Sequence, residues 1–246
     1  MSSTPSEISP QQTSDDLDAT LSDLRDRLGL DAEKKQLDAL KTLETLGAAA
    51  DSVLMDFLSK RHGEVPSFLD GKAYQILRQL NTAENQAFLA EHFPQGLLAL
   101  DAHLKVDLAP LQTLLATQQF EEADRLTLKN MCELAGSAAA QRGWLYYSEV
   151  NKFPVAELKT IDTLWNIYSE GKFGFSVQRE LWLTLGQSWE RLWPKINWRS
   201  GNAWTRYPNE FTWDLTAPKG HLPLSNQLRG VRVMEALMKH PAWSGA

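Results

Sequence analysis

Leucine returns at three- and four-residue intervals through the first hundred residues of this chain. At that spacing only a helix gathers the apolar side chains on one face. Leu17, Leu21, Leu24 and Leu28 form one stripe, with Ser14 placed to cap it and Gly29 to stop it. Leu37, Leu40, Leu43 and Leu46 form a second that ends at Gly47, and Val53, Leu54, Phe57 and Leu58 a third that closes at Gly63. Tyr74, Leu77 and Leu80 make a fourth, and Thr82 caps a fifth that carries Phe88, Leu89 and Phe93 before Pro94. Short, glycine-marked connections set neighbouring helices antiparallel. The expectation is a helical bundle over residues 14–105, behind a polar, disordered tail over residues 1–13. No catalytic spacing falls in this block, which reads as a packing or docking unit.

The segment HLKVDLAPLQ, with Pro110, marks a boundary, and residues 106–246 form a second domain. Leu111, Leu114 and Leu115 begin it. Phe120, Ala123, Leu126, Met131 and Leu134 follow on a helix closed by Gly136. This pair resembles a hairpin of superhelical repeats, but no second copy recurs at a fixed period, so no repeat array is read. All nine tryptophans lie from Trp144 onward. The run WLYYSEVNKFP fits a short strand or a helix end, and periodicity does not decide between them. Leu158, Ile161, Leu164, Trp165 and Tyr168 line a helix that stops at Gly171. Ser176 caps the next, which bears Leu181, Trp182 and Leu185, and Trp189, Leu192 and Trp193 continue a helical face to Pro194.

Helical periodicity then breaks. From Trp193 to Arg232 the chain sets Trp193, Trp198, Trp204, Tyr207, Phe211 and Trp213 among Lys195, Arg199, Arg206, Lys219, Arg229 and Arg232, opposed only by Glu210 and Asp214. Pro208, Pro218 and Pro223, with Gly201 and Gly220, exclude a continuous helix as far as Pro223. So long a loop in a compact domain is usually functional or disordered, and its density of rings argues against disorder. Flat apolar faces with cationic edges suit a flat apolar ligand with an anionic rim, and the loop is expected to order as it closes on that ligand. A last helix is expected from a Ser225 cap through Leu228, Val231, Met234, Leu237 and Met238 to Pro241. Its N-terminus would favour an anion, with Arg229 and Arg232 three apart on one face and Asn226 in support.

Composition narrows the classes. The formal charge of −6 over 246 residues argues against general nucleic-acid binding. The single Cys132 excludes an internal disulfide framework, and no apolar run approaches the length of a membrane span, so a cytoplasmic protein is expected. No two of His62, His92, His103, His221 and His240 have metal-ligand spacing. His221 could ligate a metal from its loop, but a hydrogen-bonding role weighs more. Walker, dinucleotide and nucleophile-elbow motifs are absent, so neither an enzyme nor a resident metal is expected. The open alternatives are a single-stranded nucleic-acid module, which also combines rings with cations, and a scaffold.

Four stretches carry a resemblance. They are FxxAD…CELAG (Phe120–Gly136), QRGWLYYSEVNKFP (Gln141–Pro154), KFGFSVQRELWL (Lys172–Leu183) and GNAWTRYP…FTWDLTAPKGHLPLSNQLRGVRV (Gly201–Val233). They resemble the Genomes-Uncoupled-Four family of porphyrin-binding accessory proteins of magnesium chelatase, over roughly Leu108–Trp243. The earlier helical block resembles the N-terminal bundle of bacterial-type members, mostly by position. The resemblance implies an all-α protein: an N-terminal bundle, then an all-helical core whose long aromatic loop forms a ligand cup. It implies binding of protoporphyrin and magnesium protoporphyrin, and stimulation of magnesium chelatase through its large porphyrin-binding subunit in chlorophyll biosynthesis. It further implies a monomeric regulator partly peripheral at photosynthetic membranes. Carried over residue by residue, the cup comprises Tyr147, Trp204, Arg206, Tyr207, Phe211, Leu224, Asn226, Arg229 and Arg232. At positions 147 and 207 the family pattern has phenylalanine and tryptophan, so tyrosine here keeps a ring and adds a hydroxyl.

Overall fold

The structure is a computed structural model that describes residues 10–30, 32–224 and 231–244. It is all-α apart from one short hairpin. The first half is α1 (Pro10–Leu30), α2 (Glu33–Leu46), α3 (Asp51–Arg61), α4 (Phe68–Leu80) and α5 (Ala83–His92). The second is α6 (Ala109–Ala116), α7 (Phe120–Ala135), α8 (Ser137–Arg142), α9 (Tyr147–Val150), α10 (Val155–Ile167), α11 (Phe175–Thr184), α12 (Trp189–Lys195) and α13 (Arg232–Met238). Strands β1 (Arg199–Ser200) and β2 (Ala203–Trp204) lie between α12 and α13. Among the described residues no helix is long and apolar enough to cross a membrane.

Most leucine stripes became buried faces, including Leu40 and Leu43 of α2 and Val53, Leu54 and Leu58 of α3. Thr82 caps α5 by accepting a hydrogen bond from the Asn85 amide, as its position predicts. Two boundaries differ. Helix α1 starts at Pro10 rather than after Ser14, and continues through Gly29. Proline is tolerated in a first turn, where its missing N–H has no partner to lose. Ser176 does not cap α11: that helix starts at Phe175, and the buried Asp162 carboxylate of α10 accepts from the Ser176 amide at 2.8 Å. A cap supplied from another helix leaves no local sequence signature. The ambiguous WLYYSEV run forms the single turn α9, not a strand. The expected start of the last helix near Ser225 lies outside the described residues.

The two halves share one hydrophobic core. Helix α4 docks on α10 so closely that a Cβ added at Gly71 would stand 2.0 Å from the Ile167 carbonyl oxygen. Beside this contact, the Gln75 Nε2 donates to the Tyr168 carbonyl at 3.1 Å and the Leu115 carbonyl at 3.2 Å. Lys72, itself buried, reaches Glu44 at 2.7 Å and Glu170 at 3.6 Å. A buried lysine is tolerable only with such partners.

Gly71→Ala is therefore expected to force α4 away from α10. We expect a loss of about 3 kcal/mol in chemical denaturation, at the upper end for overpacking a close contact. A variant as stable as the wild type would mean that α4 does not seat there.

Candidate functional site: an aromatic rim on a pinned loop

Over residues 196–224 the chain forms no helix, so its backbone polar groups need partners elsewhere. Buried side chains supply them. The Gln178 Nε2 of α11 donates to the Gly220 carbonyl at 3.0 Å and the Pro223 carbonyl at 2.8 Å. The Trp198 indole N–H donates to the His221 carbonyl at 2.8 Å. The ammonium of Lys172 donates to the Leu215 carbonyl. His221, fully buried, sits between two loop segments: its Nδ1 lies 2.7 Å from the Ile196 carbonyl, and the Thr212 amide donates to its Nε2 at 3.1 Å. A carbonyl only accepts, so Nδ1 carries the proton and the ring is neutral. His221 is thus a brace, in keeping with the hydrogen-bonding reading of its sequence context. Among the described residues no His, Cys, Asp or Glu cluster could hold a metal ion.

On this frame lies a run of stacked rings. Trp182 and Trp189 stack at 5.0 Å between centroids, Trp189 and Trp193 at 5.2 Å, and Trp193 and Trp198 at 5.7 Å. Phe211 continues the run, 6.4 Å from Trp198 and stacked on Trp213 at 5.6 Å. The buried Trp193 and Phe211, with the half-buried Trp213, hold two exposed rings. Trp204, 42% exposed, leans on Trp193 at 5.7 Å, and Tyr207, 38% exposed, sets its edge against Phe211 and Trp213, each at 5.8 Å. The β1–β2 hairpin presents Trp204: Arg199 pairs with Trp204 in register, and its guanidinium lies 5.6 Å from that ring. Gly201 makes the turn with φ +57°, a conformation that favours glycine.

The residues expected to bind ligand fall into two groups. Trp204, Arg206 and Tyr207 share the loop surface, while Phe211 is buried beneath Tyr207 as its support. Tyr147 and Arg232 meet separately: α9 and α13 pack together, and the Arg232 guanidinium lies 5.7 Å from the Tyr147 ring centre. Leu224 is half-buried, and the chain from it to Arg232 links the groups. Asn226 and Arg229 lie outside the described residues. The loop's cations have more partners than local sequence offers. Arg199 pairs with Glu190 of α12 at 2.8 Å and Lys219 with Glu180 of α11 at 3.0 Å, which leaves Arg206, 4.0 Å from Glu210, and Arg232 more open.

Sequence reasoning also passed over Asp124. This buried residue of α7 accepts from the Leu224 amide at 2.6 Å, and the Tyr207 hydroxyl is near enough to favour its ionised form. Burial pushes its carboxyl up to about 7 against both. A polar residue on the buried face of α7, beside Phe120, Ala123 and Thr127, was the available signal.

The class is an all-α protein that carries a cation-edged aromatic rim on its second half. The profile of the GUN4-like family matches residues 101–241, and that of the ARM-like repeat domain, GUN4-N terminal, matches residues 11–94. The chain is 49% identical over 225 residues to a Ycf53-like protein of Synechocystis sp., covering 91% of this chain and 97% of that one. It is 36% identical over 145 residues to a chloroplastic protein of Arabidopsis thaliana named tetrapyrrole-binding protein, covering 55% of each chain. Among solved structures, GUN4 from Chlamydomonas reinhardtii is similar at 36% identity and a TM-score of 0.55, over 59% of this chain and 93% of that one. Ligand-free GUN4 of Arabidopsis thaliana is similar at 35% identity and a TM-score of 0.53, over 59% and 99%. The chain belongs to the GUN4-like family. The ARM-like match adds a repeat packing geometry to the helical bundle expected for the first block, where leucine stripes of unequal length conceal the period.

Burial lowers the His221 pKa below its ordinary value of 6.5. The unfolded chain then takes up the proton first as pH falls. The stabilisation held above about pH 6.5 is lost progressively below it, towards the folded pKa. We expect His221→Gln, which keeps a donor and an acceptor, to show a smaller loss of melting temperature than the wild type between pH 7.5 and 5.5. Equal losses in the two proteins would remove His221 as the titrating brace.

Proposed function

We propose that this protein binds protoporphyrin and magnesium protoporphyrin on the Trp204–Tyr207 rim. The observation that carries this reading is two exposed rings backed by a run of buried and half-buried rings. Such rings stay in place without ligand, so binding loses little of their conformational entropy. A porphyrin is a flat apolar disc with two propionates on one edge. Covering ~300 Å² of it contributes roughly 7 kcal/mol at ~25 cal/mol per Å². Association entropy offsets a comparable amount, so stacking and charge-assisted bonds decide the net affinity. Arg206 and Arg232 are the described cations suited to the propionates, with Arg229 and Asn226 as proposed further anchors.

In this reading the protein is a regulator and carrier, not a catalyst. It hands porphyrin to the large porphyrin-binding subunit of magnesium chelatase and stimulates chlorophyll biosynthesis. It acts as a monomer, cytoplasmic and in part peripheral at photosynthetic membranes. Its second domain, residues 106–246, holds the site, and residues 14–105 serve docking. Family membership and the name of the Arabidopsis relative support the porphyrin. An open rim suits a ligand that must be passed on.

Titration with protoporphyrin should quench tryptophan fluorescence and shift the porphyrin absorption band. Trp204→Ala should weaken binding about tenfold with the melt intact, since the ring is part-exposed and a stacked aromatic contributes on the order of 1 kcal/mol beyond its area. Arg232→Ala should weaken binding of the free acid but not of the propionate diester. No spectral change on mixing would remove the porphyrin reading. Salt-sensitive binding of single strands of many sequences would favour a nucleic-acid module instead.

A further inference from the structure

The porphyrin reading names the rings and cations at the surface but gives no role to the buried acid beneath them. Asp124 lies within α7, only 3% exposed. Its Oδ1 accepts from the Leu224 amide, a hundred residues further along the chain, at 2.6 Å. The Tyr207 hydroxyl and this carboxylate are near enough to act on each other electrostatically. One fixed side chain on a rigid helix thus ties the stretch that presents Tyr207 to the stretch that leads to Arg232. A carboxylate is an expensive choice for a buried site, and Phe120 and Ala123 beside it pack with no polar group. Thr127 on the same helix is already occupied, donating to the Ala123 carbonyl and accepting from the Trp165 indole.

We propose that Asp124 is a positioning residue for the ligand, a latch whose carboxylate holds the Tyr207 and Leu224 stretches at the separation a flat, anionic-edged ring requires. This inference rests on the porphyrin reading and adds to it the residue that sets the geometry. The ionised carboxylate offers an acceptor oxygen to each donor, whereas the protonated form carries a hydrogen on one of them and holds both less well. The acid is pushed up to about 7, chiefly by burial, so the latch changes strength near neutral pH. Among the described residues, the other groups that act on it are Tyr207 from the loop and Arg125 and Glu121 from its own helix. Arg125 is itself paired with Glu121 at 2.7 Å.

The test uses the full chain as wild type, Asp124→Asn, Tyr207→Phe and the double variant. Protoporphyrin Kd is measured at pH 6, 7 and 8. Each variant is compared with the wild type at the same pH, so the titration of the porphyrin itself cancels. The latch predicts that the Kd of Asp124→Asn divided by that of the wild type rises about fivefold from pH 6 to pH 8. Tyr207→Phe, which removes a hydroxyl from a part-exposed ring, should show the same trend more weakly. The double variant should lose little beyond Asp124→Asn, because the two groups act through one contact. A ratio flat with pH, together with losses that simply multiply, would overturn the proposal. Should the wild type bind no porphyrin at any pH, the porphyrin reading fails, and hydrogen exchange without ligand still decides the latch. Faster exchange over residues 203–210 in Asp124→Asn than in the wild type supports it, and equal exchange overturns it.

Discussion

A long non-helical loop inside a helical domain must find partners for backbone groups that helices would have paired among themselves. Here that need is met from below. Gln178, Lys172, His221, Trp198 and Asp124 reach the carbonyls and amides of residues 196–224, and the Gly174 amide adds a bond to the Leu222 carbonyl at 3.0 Å. An unpaired buried donor or acceptor costs about 1–3 kcal/mol, so each brace has a strong reason to stay in place. The Gly220 amide returns a bond to the Lys172 carbonyl at 2.8 Å, which closes the loop against the start of α11.

Function follows from where the pinning stops. Residues 211–223 are held by buried side chains, and Phe211, Ala217 and Leu222 are themselves buried. Trp204, Arg206 and Tyr207 precede them on the exposed side of the same loop. The later half of the loop is thus braced from beneath, and residues 199–210 carry the exposed surface on which a ligand would add protection. The stacked indoles from Trp182 to Trp198 carry the position of α11 and α12 through to Trp204, so the rim inherits the rigidity of the helices.

Much of the fold was legible because helix formation and its termini are local. The leucine stripes, the Thr82 cap and the stop at Gly136 each depend on residues within a few positions. The aromatic loop was legible as an ordered, non-helical element because prolines and rings are readable singly. What stayed hidden was long-range pairing. Asp162 caps α11 from another helix, Glu190 and Glu180 neutralise loop cations from α12 and α11, and Gly71 matters only because Ile167 packs on it. Phe211 could be read as a ring but not as a buried one. The hydroxyl at Tyr207 gains meaning only beside Asp124, which lies 83 positions earlier (207 − 124) and reads in isolation as one more helical acid.

On the proposed function, a flat ligand lies on a rim whose support is already in place. Hydrogen exchange of the full chain with and without saturating protoporphyrin tests it most directly, because it reports every backbone segment at once. Ligand should slow exchange over residues 199–210, change it little over residues 211–223, and leave α1 to α5 unchanged. Protection confined to the N-terminal helices, or spread evenly over the whole second half, would contradict it.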